Sequence, residues 1–572
     1  MFVKTYGSAV YGVEAKTITI EVNWTAQGKE YCIVGLADSA IKESMQRIES
    51  AIKSKRFEMP RTRIVINLAP ADLRKSGTAF DLPIAIGILA ASEQITLVEK
   101  FDRYIMMGEL SLDGELRPIR GALPIAIQAR KEGFNGFILP AANAQEAAMV
   151  SGISVYGMKN IREVVAFIQS EGSSAAPVSI NIQEAFSAAQ QAFENDFAEV
   201  KGQENIKRAL EIAASGGHNV ILIGPPGAGK TMLAKRLASI LPPLSMEEAL
   251  ESTKIHSVAG KLPEHATLIT KRPFRSPHHS ISNAGLVGGG ANPQPGEISL
   301  SHNGVLFLDE LPEFKRNVLE VMRQPMEERR VTISRARLAV DFPASFMLVA
   351  SMNPCPCGFY NHPEKTCNCP PGAVTKYLNR ISGPLLDRID LHVEVPSLNP
   401  QALLNTPPGA SSEALRHDCQ AARERALARQ GHTNHLLQGQ ALDSLERQPA
   451  AQQLLERAAQ RLGWSGRGTH RCLRVARSVA DLHGHLSIEA EDMAEAGQAE
   501  DRVEAVQITR EAAIEAYDRG ALADGEVGLI IAGVVCDEDV VGQQAEAETS
   551  EERGSPWHDG GRRSHADRPD GQ

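Results

Sequence analysis

The stretch Gly224-Pro225-Pro226-Gly227-Ala228-Gly229-Lys230-Thr231 fits the phosphate-binding pattern G-x-x-x-x-G-K-[ST] at every fixed position. It constrains the fold more than any other feature, because the pattern works only between a buried strand and a helix. Asn219-Val220-Ile221-Leu222-Ile223 is the short apolar run such a strand needs, and Met232 to Leu241 reads as the helix. The setting is therefore strand, loop, helix within an α/β domain. In such a loop backbone N–H groups turn inward around phosphate oxygens, and the helix N-terminus adds partial positive charge. Lys230 would reach the β- and γ-phosphates of ATP, and Thr231 would offer its hydroxyl to Mg²⁺. The bland alternative, a glycine turn ahead of an ordinary helix, does not account for both flanks.

Two further runs complete a constellation. Val305-Leu306-Phe307-Leu308-Asp309-Glu310 is four apolar residues ending in two carboxylates, as a buried parallel strand delivering acids to a sheet edge would be. Asp309 would hold Mg²⁺ through its water shell, and Glu310 would polarise the water that attacks the γ-phosphate; two acids are needed because the metal occupies one. Phe346-Met347-Leu348-Val349-Ala350-Ser351-Met352-Asn353 is another strand ending in a polar side chain, which places Asn353 to orient the attacking water, or alternatively to cap a loop.

The chain has 572 residues, 42% hydrophobic and 23% charged, and a net charge of −10. It is long enough for several domains with sizeable cores. Any nucleic-acid contact must come from local basic patches, since the overall field is negative. No apolar run reaches the roughly 18 residues of a spanning helix, and Met1 to Tyr6 lacks the regions of a signal peptide, so a cytoplasmic protein without membrane contact is expected. Cys355-Pro356-Cys357 and Cys367-Asn368-Cys369 enclose a loop, 358–366. Four thiols so spaced suit one tetrahedral Zn²⁺, although C-x-C is tighter than the usual C-x₂-C. The alternative is four reduced cysteines in a loop. His278 and His279 have no partner at metal-ligand spacing and read as loop residues.

Residues 1–170 alternate strand-like runs (Lys16 to Val22, Arg63 to Leu68) with helical ones (Ser39 to Lys53, Pro83 to Ala91). The segments Asp72 to Pro83 and Gly108 to Gly121 resemble the Lon-protease-type domain. Lon proteases need a serine activated by a lysine; Thr78 to Leu82 has no serine in place and Gly121-Ala122-Leu123-Pro124 lacks the lysine, so a protease-like scaffold without protease chemistry is expected. A polar linker follows at 171–182. Phe197 to Gln203 reads as a short strand entering a helix that carries Leu210 and Ala213, and from about residue 400 the pattern is helical.

Phe274 to Ser282, Gly285 to Gly290, Pro295 to Glu310 and Gly383 to Asp390 resemble the YifB/ComM family of magnesium-chelatase-like AAA+ proteins. The resemblance spans about residues 1–490 and implies an α/β protein of three folded parts. These are a Lon-like α/β domain at 1–170, an AAA+ P-loop parallel-sheet domain at 183–398, and a helical lid at 399–495, with a divergent tail at 496–572 expected to be disordered. It further implies an insert at about 280–297 and a β-hairpin before the Asn353 strand, which Arg329 to Leu338 fits. Arg388 would be an arginine finger reaching a neighbouring subunit, which implies a homo-oligomeric, hexameric ring. Arg467 takes the position of a second sensor arginine, though Gly466 and Gly468 beside it would each cost about 1 kcal/mol in a helix interior.

The functional expectation is an ATP-hydrolysing motor on single-stranded or branched DNA, gripping phosphates with Arg335 and Arg337 of the hairpin, as branch migration in natural transformation or recombination requires. A chelatase-type or protein-remodelling ATPase is the second reading, and a non-catalytic platform the third. The hairpin arginines have an alternative of their own, pairing with acids at a subunit interface.

Overall fold

The computed structural model describes residues 1–497 apart from 26–27, 29–30, 98, 184–185, 187–194, 263–267, 291, 336–337, 363, 398–406 and 408. The tail expected at 496–572 therefore lies almost wholly outside the described residues.

Apolar alternation in Glu14–Trp24 and Ile64–Ala69 builds the first sheet. It has seven strands, in the order Tyr31–Val34, Ile64–Ala69, Glu14–Trp24, Phe2–Tyr11, Tyr104–Met106, Gly136–Pro140, Ser154–Met158. Phe2–Tyr11 and Glu14–Trp24 pair antiparallel, and the last three strands run parallel. The helix Asp81–Ala91 is buried along its whole length, which is why its sequence shows no polar face. Where a Lon protease needs its nucleophile, the Thr78 hydroxyl donates to Glu109 and Asp81 accepts from Arg47 Nε and Nη2 at 2.9 and 3.1 Å. The linker stretch is laid onto this domain: Val178 N–H donates to Val155 O at 2.9 Å, and Val178 and Ile182 pack against the core.

The second sheet has five parallel strands in the order Phe274–Arg275, Val305–Leu308, Met347–Met352, Val220–Ile223, Leu391–Glu394. Both faces are covered, so its strands read as unbroken apolar runs. Val220, Leu222, Phe307 and Val349 share one core with Leu233, Leu237 and the lid residues Cys419, Leu473 and Val479. Ile221, Leu306, Leu308 and Leu348 point the other way, onto Leu319, Met322, Phe342 and Leu386. The lid comprises Ser412–Gln430, Pro449–Leu462, Gly466–His483 and short turns. It is tied to the sheet by Asp390, which accepts the Asn219 N–H at 3.2 Å and pairs with Arg474 at 3.2 Å and His218 at 3.4 Å. Against the penalty of burial, those two bases hold the Asp390 carboxyl well below the usual range.

Three local expectations need correction. Phe197 to Gln203 is no strand: Phe197–Glu199 is a 3₁₀ turn started by the Asp196 carboxylate, and Gln203 sits at φ +59°. The hairpin is longer than Arg329 to Leu338, with arms Arg330–Arg335 and Leu338–Pro343 in antiparallel register. Gly466 and Gly468 lie in the first turn of Gly466–His483, where Ser465 caps the helix and accepts the Gly468 N–H at 3.3 Å. The interior penalty for glycine does not apply there.

Candidate nucleotide site

Register alone brings the predicted residues together. Ile223 pairs with Met352 and Leu308 with Ala350, so Gly224, Asp309 and Asn353 leave the same carboxyl edge of the sheet. Gly224 N–H donates to Met352 O at 3.2 Å, closing the loop down onto the Asn353 strand. Gly227 and Gly229 have φ of +82° and +87°, values that favour glycine, and among the described residues nothing stands within 4 Å of where a Gly227 Cβ would be. The helix Lys230–Ile240 begins at Gly229 with no side chain capping it. Its first N–H groups have no partner within the helix, and Pro225, Pro226 and Ala228 fill the rest of the loop. An anion fits this cradle on both counts.

Around the cradle the side chains converge. Lys230 Nζ donates to Gly224 O at 2.7 Å, Pro225 O at 2.9 Å and Asn353 Oδ1 at 3.0 Å. Burial pushes its pKa down, with Asp309 and Glu310 opposing. Thr231 Oγ1 donates to Asp309 Oδ2 at 2.8 Å, so the hydroxyl and the carboxylate that would share a Mg²⁺ already face each other. Ser351 also donates to Asp309. Glu310 stands in the left-handed region at φ +55°, its side chain 58% exposed. A non-glycine residue held there stores local strain, a common feature of functional positions.

The remaining candidates sit apart from this group. Arg388 is bound within its own chain, to Glu327 and the Pro384 carbonyl. Arg467 is 74% exposed with Asp387 at 3.6 Å, which sets it beside Arg388. In the hairpin, Arg329 lies half-buried at the base, donating to Phe346 O at 3.0 Å, with its pKa lowered by burial. Arg330 faces Glu328 at 3.5 Å. Arg335 ends the first arm, paired in register with Leu338, and Arg337 lies outside the described residues.

Cys355, Cys357, Cys367 and Cys369 come together, with all four sulfurs within 4.8 Å of one another. Cys355 lies 3.3 Å from Cys357 and 3.7 Å from Cys367, and Cys357 lies 3.5 Å from Cys367. Sequence reasoning missed two residues here. His279, read as a loop residue, places Nδ1 3.8 Å from Glu310 Oε2; it follows Phe274–Arg275, the strand next to the one that leads to Glu310, a tertiary fact without a local signal. Gly358 is the other: at φ +83°, a Cβ there would lie 2.5 Å from Pro226 Cδ in the phosphate loop. Its only sequence signal was a glycine directly after C-x-C.

A phosphate loop, a strand-end acid pair and a strand-end asparagine on a parallel sheet with the loop strand between the asparagine strand and the last strand define a P-loop ATPase of the AAA+ class, here carrying a helical lid. Family models agree along the chain: residues 196–403 match magnesium chelatase subunit ChlI, 20–143 match subunit ChlI of Mg-chelatase, and 409–499 match its C-terminal part. The chain is 44% identical over 482 residues to the uncharacterized protein YifB of Escherichia coli K12, covering 83% of this chain and 92% of that protein. It is 43% identical over 498 residues to the competence protein ComM of Haemophilus influenzae, covering 86% and 96%. A shorter likeness, 32% over 154 residues, joins it to Lon protease 2 of Bacillus subtilis, covering 24% and 26%. The chain belongs to the YifB/ComM family of magnesium-chelatase-like AAA+ proteins.

Proposed function

We propose that this protein is an ATP-driven DNA motor, working as a hexameric ring in the cytoplasm to translocate or branch-migrate DNA during natural transformation or recombination. The observation that carries the reading is the likeness to a competence protein over 86% of the chain, together with a nucleotide cradle in which every expected residue type is present. ATP with Mg²⁺ supplies the phosphoanhydride whose cleavage drives the motion. Lys230 and the loop N–H groups hold phosphate oxygens, and Thr231 and Asp309 hold the metal. Glu310 takes the proton of the attacking water, Asn353 orients that water, and Arg388 and Arg467 add positive charge at a subunit boundary. Release of Arg388 from Glu327 is the rearrangement this role demands of the chain. Arg335 and Arg337 grip the DNA backbone, and the four cysteines hold zinc.

The second reading, a chelatase-type or protein-remodelling ATPase, is favoured by the three family models, all of them parts of a magnesium chelatase subunit. Measuring ATP turnover with and without single-stranded and branched DNA separates the two. Stimulation by DNA that falls with salt supports the motor, and turnover indifferent to every DNA supports the alternative.

A further inference from the structure

The four cysteines lie against the machinery rather than on a remote surface. Cys355 follows Asn353 by two residues, and Gly358, in the turn closed by its N–H to Cys355 O at 3.0 Å, presses on Pro226. The second pair is tied to the same place by another route. Cys369 leads through Pro370, whose carbonyl accepts the Ala373 N–H at 3.0 Å, into the helix Ala373–Leu378. From that helix the buried Tyr377 packs into the same core as Met352, the residue before Asn353. Drawing the two cysteine pairs together thus closes a ring of contacts around Asn353 and Pro226.

The donor set selects the ligand. Four thiolates around a Zn²⁺ with Zn–S of about 2.3 Å have sulfur–sulfur edges of about 3.8 Å. The three sulfur separations of 3.3, 3.5 and 3.7 Å come close to that figure before any contraction or expansion around an ion. Sulfur-only tetrahedral sites select zinc or iron–sulfur centres, and zinc needs no further sulfide.

We propose that one zinc ion loaded on Cys355, Cys357, Cys367 and Cys369 is the brace that fixes Pro226 of the phosphate loop and Asn353 of the neighbouring strand, so that zinc occupancy sets nucleotide affinity. The inference rests on the zinc and nucleotide readings above and adds the coupling between them. Removing the ion frees two C-x-C turns, and the loop loses the wall that holds Pro226.

The full chain, purified under reducing conditions, is assayed for metal by mass spectrometry, then stripped with an organomercurial while a chromogenic chelator counts the zinc released. Binding of a fluorescent ATP analogue is compared before stripping, after stripping and thiol recovery, and after adding Zn²⁺ back, without DNA. The expected result is one zinc per chain, a nucleotide Kd weakened about 5-fold or more on stripping, and recovery with zinc. Gly358→Ala should keep its zinc yet weaken nucleotide binding, because the added Cβ displaces Pro226 directly. Less than about 0.2 zinc per chain, or iron in its place, overturns the metal assignment. A full zinc count with equal Kd in loaded and stripped protein overturns the brace. A zinc-loaded chain that binds no nucleotide overturns the nucleotide site itself, and the zinc count tells that failure from the first.

Discussion

Replacing Lys230 and Glu310 separately should split nucleotide binding from hydrolysis. The Lys230 side chain is buried with its ammonium among three oxygens at 2.7 to 3.0 Å, so in the bound state it must exchange loop carbonyls for phosphate oxygens without returning to water. Hydrogen bonds to charged groups contribute about 1.5–3 kcal/mol, which places the loss of affinity in Lys230→Ala at roughly 10- to 100-fold. The Glu310 carboxylate has His279 Nδ1 at 3.8 Å and acts on Lys230 through its charge. Glu310→Gln removes a proton acceptor while keeping shape, so nucleotide affinity should stay within about 2-fold while turnover falls by about 10²–10⁴. Equilibrium binding of a fluorescent ATP analogue and steady-state phosphate release measure the two quantities on the same preparations. Near wild-type turnover in Glu310→Gln would refute the assignment of the base, and unchanged affinity in Lys230→Ala would refute the cradle.

Arg335→Ala with Arg337→Ala should weaken DNA binding and flatten its dependence on salt while leaving basal turnover and ring assembly intact; loss of the ring instead would mean these arginines serve a subunit interface. Asp390→Ala should destabilise the chain by about 3–5 kcal/mol in thermal or denaturant melts, since it leaves Arg474 facing a buried gap, and a shift under about 1 kcal/mol would show that the tie between lid and sheet lies elsewhere. His392, buried and close to Arg471, has its pKa pushed down to about 3 by burial first and that arginine second. A depressed folded pKa gives stability that is present above about 6.5 and lost as pH falls toward 3, amounting to about 5 kcal/mol. His392→Leu should therefore flatten the acid limb of a stability–pH curve measured by denaturant melts, and an unchanged limb would remove His392 as its cause.

The ATPase sheet was legible because its strands are buried on both faces and each ends in a residue unlike the run before it. Val305 to Leu308 could hardly be anything but a central strand, and the acids after it had to emerge at an edge. Where the structure departs from the sequence reading, a tertiary partner decides. Phe197 to Gln203 looked extended, but the Asp196 carboxylate accepts the Ala198 N–H at 3.0 Å and the Ser412 N–H at 2.8 Å, holding a tight turn against a lid helix more than two hundred residues away. The second hairpin arm, Leu338–Pro343, ends in a proline that reads as a stop, and its pairing with Arg330–Arg335 could be seen only from the partner strand. Arg329 opens the hairpin stretch in sequence; its hydrogen bond to Phe346 O has no sequence signal.

The same hairpin explains how the first domain and the ATPase domain bear on each other. The long strands Phe2–Tyr11 and Glu14–Trp24 project a turn at Gly12, and a Cβ on Gly12 would lie 2.5 Å from Val340 in the second hairpin arm. Val13 packs into the core that holds Val331, Ile333 and Phe342. A second contact lies across the domain boundary, where Gly121 N–H donates to Ser257 O at 3.2 Å and the Ser257 hydroxyl meets the buried Glu146. The hairpin is therefore held from two sides: its base is fixed by Arg329 to the strand that leads to Asn353, and its second arm rests on the first domain. An arm so held cannot tilt without either sliding Val340 past Gly12 or carrying that turn along. Because glycine at φ +62° is the residue that allows this close approach, a side chain at position 12 would clash with Val340 and adopt a backbone conformation that disfavours it. The close approach of the Lon-like domain to the second hairpin arm thus depends on glycine at position 12, with Val13 packed beside it.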